Sequence, residues 1–299
     1  MDDKLKGYLF VTIAIFFIAL SAVAIKIVQQ NNGPETSSFF WTLSSLLTCS
    51  VLLFVRKEQK KVIPALKHSG RIILPIGILV GIGMLCWFHS INLIGPSLSS
   101  FLGRIGTIVL VFLSILFLKE KFNIFEAVGT IIALGGVLLI TFSPIEYLGW
   151  KITYIAIGST CYGISQLISK KYIQMLPLVP FTFLTTFIST LMLFANSIIT
   201  SKLKSVSLSS LPIILIVPFL SEVIAVLLIY SSYRYLGVGK VQIIRSSFPF
   251  VVVVYSFLFY NEVPLPHQLI GGTLIVLGVM MLIGFRRIKK GVGLIFNSS

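Results

Sequence analysis

The chain has 299 residues, of which 56% are hydrophobic and only 11% charged, and its mean hydropathy is +1.01. A soluble domain carries roughly 25% charged residues, so this composition excludes a soluble globular protein and points to a polytopic membrane protein. The formal net charge of +15 would suit a nucleic-acid partner, and the placement of that charge is what excludes one.

Ten apolar runs, most of them near the ~20 residues that cross a bilayer, are predicted as helical segments: about 7–28, 37–55, 72–91, 96–118, 122–142, 151–170, 179–200, 211–233, 240–260 and 266–285. The start, Met1-Asp2-Asp3-Lys4, is acidic before it is basic, and no small-residue cleavage site follows the first run. Segment 1 is therefore expected to be retained as a helix. Lys26, near its outer end, reads as a snorkelling side chain. Cys49, Cys86 and Cys161 fall singly in segments 2, 3 and 6, without the paired spacing of a metal site or a disulfide framework, so no metal and no cofactor is expected. Segment 3 carries Trp87 and His89 near its outer end. Segment 4 carries Arg104 in an otherwise apolar run, "SSFLGRIGTIVLVFLSILFLKE". Tyr162 and Gln166 lie one turn apart on segment 6. Segment 8 carries Glu222, the acidic residue placed deepest in a helix, with Val226, Ile229 and Tyr233 at helical spacing and Tyr230 beside them. Segment 9 carries Gln242 and, three residues on, Arg245. Residues 286–299 form a basic tail.

With the N-terminus inside, the cytoplasmic connections hold 18 Lys and Arg residues against 3 in the outer loops. That bias is the positive-inside rule. The basic balance is thus topology with some attraction to anionic lipid heads, and both termini are expected in the cytoplasm, with the inner membrane of a bacterial cell as the expected location.

A shift of 142 residues aligns the two halves: Gly95 falls on Gly237, Phe117 on Phe259, Glu120 on Glu262, Gly129 on Gly271 and Gly136 on Gly278. Each half holds an odd number of segments, so the second half enters the membrane turned over. The expected fold class is an all-α membrane protein of ten transmembrane helices in two inverted five-helix repeats, residues 7–142 and 151–285. Inverted repeats mark secondary transporters, with the site near the midplane where the repeats meet.

"AIKIVQQNNGPETSSFFWTLSSLL", "CYGISQLISKKYIQMLP", "YSSYRYLGVGKVQIIRSSFPFVVVVYSFLFYNE" and the two Glu-plus-Gly tails resemble the drug/metabolite transporter superfamily of the EamA type, across about residues 7–285. The resemblance implies ten helices, alternating access and a cavity framed chiefly by segments 3, 4, 8 and 9. Pro249 matches the proline the family commonly places in segment 9; Thr107 stands at the corresponding point of segment 4, and Trp41 and Thr42 stand where an arginine is often found early in segment 2.

Arg104 lies about eight residues into its segment from the outer side, roughly 12 Å at 1.5 Å per residue. Arg245 lies about five residues in from the inner side. Under the repeat shift each matches a neighbour of the other, so the two are near-equivalents on opposite sides of the midplane. An arginine facing lipid at depth costs at least ~2.5 kcal/mol, and guanidinium forks match carboxylate and phosphate. Both arginines are therefore expected to hold an anionic group of a small-molecule substrate. Snorkelling is the bland alternative for Arg245, and pairing with a buried carboxylate for Arg104. Glu222 could pair with an arginine or take up and release a proton, which would couple transport to protons. Tyr230, Gln242, Trp87, His89, Gln166 and Tyr162 are weaker substrate-binding candidates, each with a structural role as its alternative. No H-E-x-x-H, no G-x-S-x-G and no carboxylate cluster argues for an enzyme. The expected function is a secondary transporter of a small anionic metabolite. A flippase for a phosphorylated lipid head, or an exporter of amino acids or drug-like compounds, is the alternative.

Overall fold

The computed structural model describes residues 3–106, 109, 124–141, 149–172, 178–236, 241 and 244–296. Among the described residues the chain is helical, without strands. In order it forms α1 (Asp3–Val55), α2 (Val62–Leu102), α3 (Ile124–Thr141), α4 (Ile152–Tyr172), α5 (Leu178–Ile199), α6 (Leu211–Pro218), α7 (Ala225–Tyr235), α8 (Phe248–Tyr260) and α9 (Pro266–Phe296). A π-helical turn, Phe219–Ile224, carries α6 into α7 without a gap. Four helical stretches, Leu5–Val55, Gln59–Leu102, Leu178–Ile199 and Leu211–Ile229, are long and apolar enough to cross a membrane. Their outward side chains are apolar too: Leu47, Phe54, Leu191, Ile198 and Leu215 are exposed, as a lipid-facing surface requires.

Sequence reading leaves residues 29–36 as a connection and begins the third segment at 72. The structure instead carries α1 as helix up to one residue, Gly33, and begins α2 ten residues earlier, at Val62. The two long helices are broken in the same way. Gly33 has φ 71°, ψ 167° before Pro34, and Gly95 has φ 81°, ψ 164° before Pro96. Glycine reaches positive φ without a Cβ penalty, and proline can open the helix that follows. At both places the chain folds back. Ile25 and Trp41 join one buried cluster with Phe88 and Ile91, and the Ser90 and Ser99 hydroxyls are hydrogen-bonded at 2.7 Å across Gly95.

Two polar residues at the first fold-back, Asn32 and Thr36, have partners, whereas the buried Ser37 hydroxyl has none among the described residues. Asn32 donates to the Ser210 hydroxyl (2.9 Å) and accepts from the Ser207 amide (2.9 Å). Thr36 donates to the Lys202 carbonyl and accepts from the Lys204 amide. A loop from the second half of the chain therefore satisfies groups that composition alone would leave in a solvated turn.

α3 and α9 cross through glycine. A Cβ added to Gly136 would strike the Gly271 carbonyl and the Ile275 amide; one on Gly278 would strike the Gly129 carbonyl and, at 2.7 Å, the Ala133 amide. Ala133, Ile140, Ile275 and Val279 seal the crossing. α9 also runs as helix through the basic residues after 285 to Phe296, beyond the expected end of the tenth segment.

Candidate functional site

The chain between Phe101 and Gly106 is helical except for a turn at Gly103–Arg104, and a matching turn at Ser246–Ser247 separates Arg245 from α8. Tightened bonds close both breaks: the Arg104 amide donates to the Phe101 carbonyl (3.1 Å) and the Ser247 amide to the Ile244 carbonyl (3.0 Å). Interrupted helices release carbonyls from the regular ladder, and in membranes such breaks line cavities. Here the Arg104 guanidinium donates to the Arg245 carbonyl at 3.3 Å and lies 5.2 Å from the centre of the Phe248 ring.

Both arginines line one cavity of about 200 Å³. Trp87 and Phe248 give it aromatic walls, Ile15 and Ile18 an aliphatic one, and Ser100 and Gly103 a small-residue wall. Each arginine is half-buried. Among the described residues no carboxylate pairs with Arg104, so its expected alternative role as one half of a buried ion pair finds no partner there.

Glu222 lies elsewhere. It sits in the π-helical turn, is exposed by surface area although far along the helix from either end, and is within electrostatic reach of Cys49 and Tyr162. The Tyr162 hydroxyl contacts the Met84 sulfur at 3.4 Å. The π turn corrects one sequence expectation: the α-helical register does not run through Glu222, and Ile229, expected on its face, is buried whereas Glu222 is exposed. An extra residue in a turn re-aims the side chains around it, and such turns concentrate at functional positions.

The remaining candidates separate. Trp87 joins the arginine cavity. His89 belongs to a cluster at the first fold-back: its Nδ1 meets the Leu85 carbonyl at 2.9 Å, its Nε2 lies 3.4 Å from Glu35, and its ring stacks on Tyr154 with centroids 4.8 Å apart. Glu35, buried, also accepts from Lys202; that hydrogen bond, then the carboxylate charge, holds the Lys202 ammonium above the usual lysine pKa. Gln166 is exposed on α4. Tyr230 lies in α7 with its side chain outside the described set, and Gln242 lies outside the described residues, as do Thr107 and Glu120. Lys26 does not snorkel freely: it pairs with Glu262 and lies 4.5 Å over the Tyr260 ring. Ser100, Phe248, Ile15 and Ile18 escaped the sequence reading. The first two stand close in sequence, Ser100 four residues before Arg104 and Phe248 three after Arg245, but the turns at Gly103–Arg104 and Ser246–Ser247 interrupt the helical period that would have placed them. Among the described residues no group of three or more His, Cys, Asp or Glu side chains could hold a metal.

Comparison with known proteins places this geometry in context. The EamA-like transporter family profile matches residues 5–142 and again residues 149–284. The chain is 26% identical over 257 residues to the uncharacterized transporter YdfC of Bacillus subtilis, covering 82% of this chain and 80% of that protein. It is 23% identical over 193 residues to the uncharacterized transporter sll1164 of Synechocystis, matching 60% of this chain and 55% of that relative's length. A solved crystal structure at 15% identity superposes with a TM-score of 0.61 over 93% of this chain and 97% of its own, a likeness of fold.

Proposed function

The chain belongs to the EamA-like transporter family, and on that premise we propose that it is a secondary transporter carrying a small metabolite with an anionic group by alternating access. The observation that carries the reading is the shared cavity: two guanidiniums from different halves of the chain face one space of about 200 Å³, and Arg104 meets no carboxylate among the described residues. A guanidinium kept half-exposed in an apolar protein is costly unless a counter-charge arrives. A substrate carboxylate or phosphate supplies one through charge-assisted hydrogen bonds. The small volume weighs against a lipid carried with its head group in this space.

The architecture we propose is ten membrane-crossing helices in two inverted repeats, residues 7–142 and 151–285, with both termini cytoplasmic and the inner membrane of a bacterium as the site. The breaks at Gly33 and Gly95, the reciprocal α3–α9 glycine contacts and the twofold family match support it. External labelling of a cysteine introduced in the 56–61 connection of intact cells would contradict the orientation.

The transport test uses proteoliposomes. Arg104→Gln and Arg245→Gln should each weaken uptake of a responding substrate roughly tenfold to a hundredfold, the value of one to two charge-assisted hydrogen bonds, while the protein still elutes as a folded species. Normal transport by both variants sinks the anionic-substrate reading. A second reading rests on Glu222 in its π turn: it takes up and releases a proton as access alternates, coupling transport to the proton gradient.

A further inference from the structure

The arginine cavity has a lining that discriminates among anions. Among the described residues, Ile15 and Ile18 of α1, Trp87 and Ser100 of α2, Gly103 and Arg104 just after it, and Arg245 and Phe248 supply it. None of these eight is an Asp or Glu. Glu222, within electrostatic reach of Cys49 and Tyr162, is not among the described lining residues. A substrate bearing an ammonium group would therefore place it beside two guanidiniums with no carboxylate among the described lining residues to receive it, an uncompensated charge in a poorly solvated site.

The rest of the lining asks for apolar surface. Trp87 and Phe248 offer ring faces, Ile15 and Ile18 offer methyl groups, and the Phe248 ring already carries the Arg104 guanidinium at 5.2 Å. A cavity of about 150 Å³ accepts a benzene ring. At about 200 Å³ this one has space for a ring-sized body and one anionic group.

We infer that the preferred substrate class is a compact, amine-free anion, a carboxylate or phosphate carried on a ring-sized apolar body, with the anion on Arg104 and Arg245 and the body against Trp87 and Phe248. This rests on the anionic-substrate reading above and narrows it. α-Amino acids, although anionic at one end, are excluded by their ammonium. Short anions without an apolar body are disfavoured because they leave the aromatic wall uncovered.

The test is ligand-induced stabilisation of the purified full-length protein in detergent, titrated with phenylacetate, phenyl phosphate, L-phenylalanine, phenethylamine, acetate and inorganic phosphate. Binding to the native state raises Tm by mass action. Phenylacetate or phenyl phosphate should give an apparent Kd at least about tenfold below those of L-phenylalanine and of the corresponding bare anion, and Arg104→Gln should abolish the shift; whichever of the two binds tighter names the anion. Phenylalanine binding as tightly as phenylacetate overturns the amine-free claim, and acetate or inorganic phosphate binding as tightly overturns the apolar-body claim; both leave the anion reading standing. Stabilisation by phenethylamine alone overturns the anion reading itself. Absence of any shift with both ring-bearing anions overturns the inference.

Discussion

At the α3–α9 crossing, Gly136 and Gly278 press against Gly271 and Gly129 with no room for a methyl group, whereas Arg104 and Arg245 stand around a cavity of about 200 Å³. The two regions use the same relation between the halves of the chain. Gly129 and Gly271, and Gly136 and Gly278, are equivalent under the 142-residue shift, and each touches the other pair's equivalent, as self-complementary surfaces do. The arginines are near-equivalents, one position apart, and the helix is broken at both. Small residues at equivalent positions let backbones close on one another in lipid, where van der Waals packing drives helix association. Large charged residues at nearly equivalent positions, beside helix breaks, line an open cavity instead. One region is closed by packing and the other leaves the space in which we propose that substrate binds.

The largest effect should come from filling the glycine crossing. Gly136→Leu places its Cβ against backbone on α9, which cannot move aside, so overpacking should cost at least ~1–3 kcal/mol and remove the folded species from detergent gel filtration. Gly135→Leu, where an added Cβ meets open space, should leave elution and Tm nearly unchanged. Equal behaviour of the two variants would mean that the crossing is not close-packed.

The cavity should respond in the opposite sense. Arg104→Met removes a half-buried charge that faces Arg245, and replacing a buried charge by an apolar side chain of similar length is often neutral or stabilising. Tm should hold or rise while transport is lost. A Tm drop as large as that of the glycine variant would make Arg104 a structural residue and erase the contrast between the regions.

Glu222→Gln tests whether the π turn belongs with the cavity as functional machinery. It should abolish gradient-driven accumulation in proteoliposomes yet permit substrate exchange, with little change in Tm. Accumulation against a gradient with unchanged pH dependence would reduce Glu222 to a static residue.

The smallest effect is expected at the Lys26–Glu262 pair, whose side chains are 21% and 49% exposed. Exposed pairs contribute about 0–1 kcal/mol, so Lys26→Gln should shift Tm by a few degrees at most, measured beside the glycine and arginine variants. A loss matching that of Gly136→Leu would show that this pair, and not the glycine crossing, holds the bundle together.

Composition and period decided the class of this protein before any coordinate. Runs of about twenty apolar residues in a chain with 11% charge leave a membrane as the medium, and in lipid the backbone must satisfy itself as helix. The positions of Gly33, Pro34, Gly95 and Pro96 are visible in the chain, and so are the repeated glycines, because conformational freedom and lack of a side chain are properties of single residues. Tertiary structure decided what meets what. That Trp87 and Arg104 share a cavity with Arg245 and Phe248, that His89 instead meets Glu35, and that Lys26 finds Glu262 depends on residues dozens to hundreds of positions apart. The π turn at Phe219–Ile224 likewise overrode the regular period on which the face of Glu222 was read. A period of 3.6 specifies which residues share a side of one helix, but the side a neighbouring helix covers is fixed by packing between helices, and no local pattern carries that information.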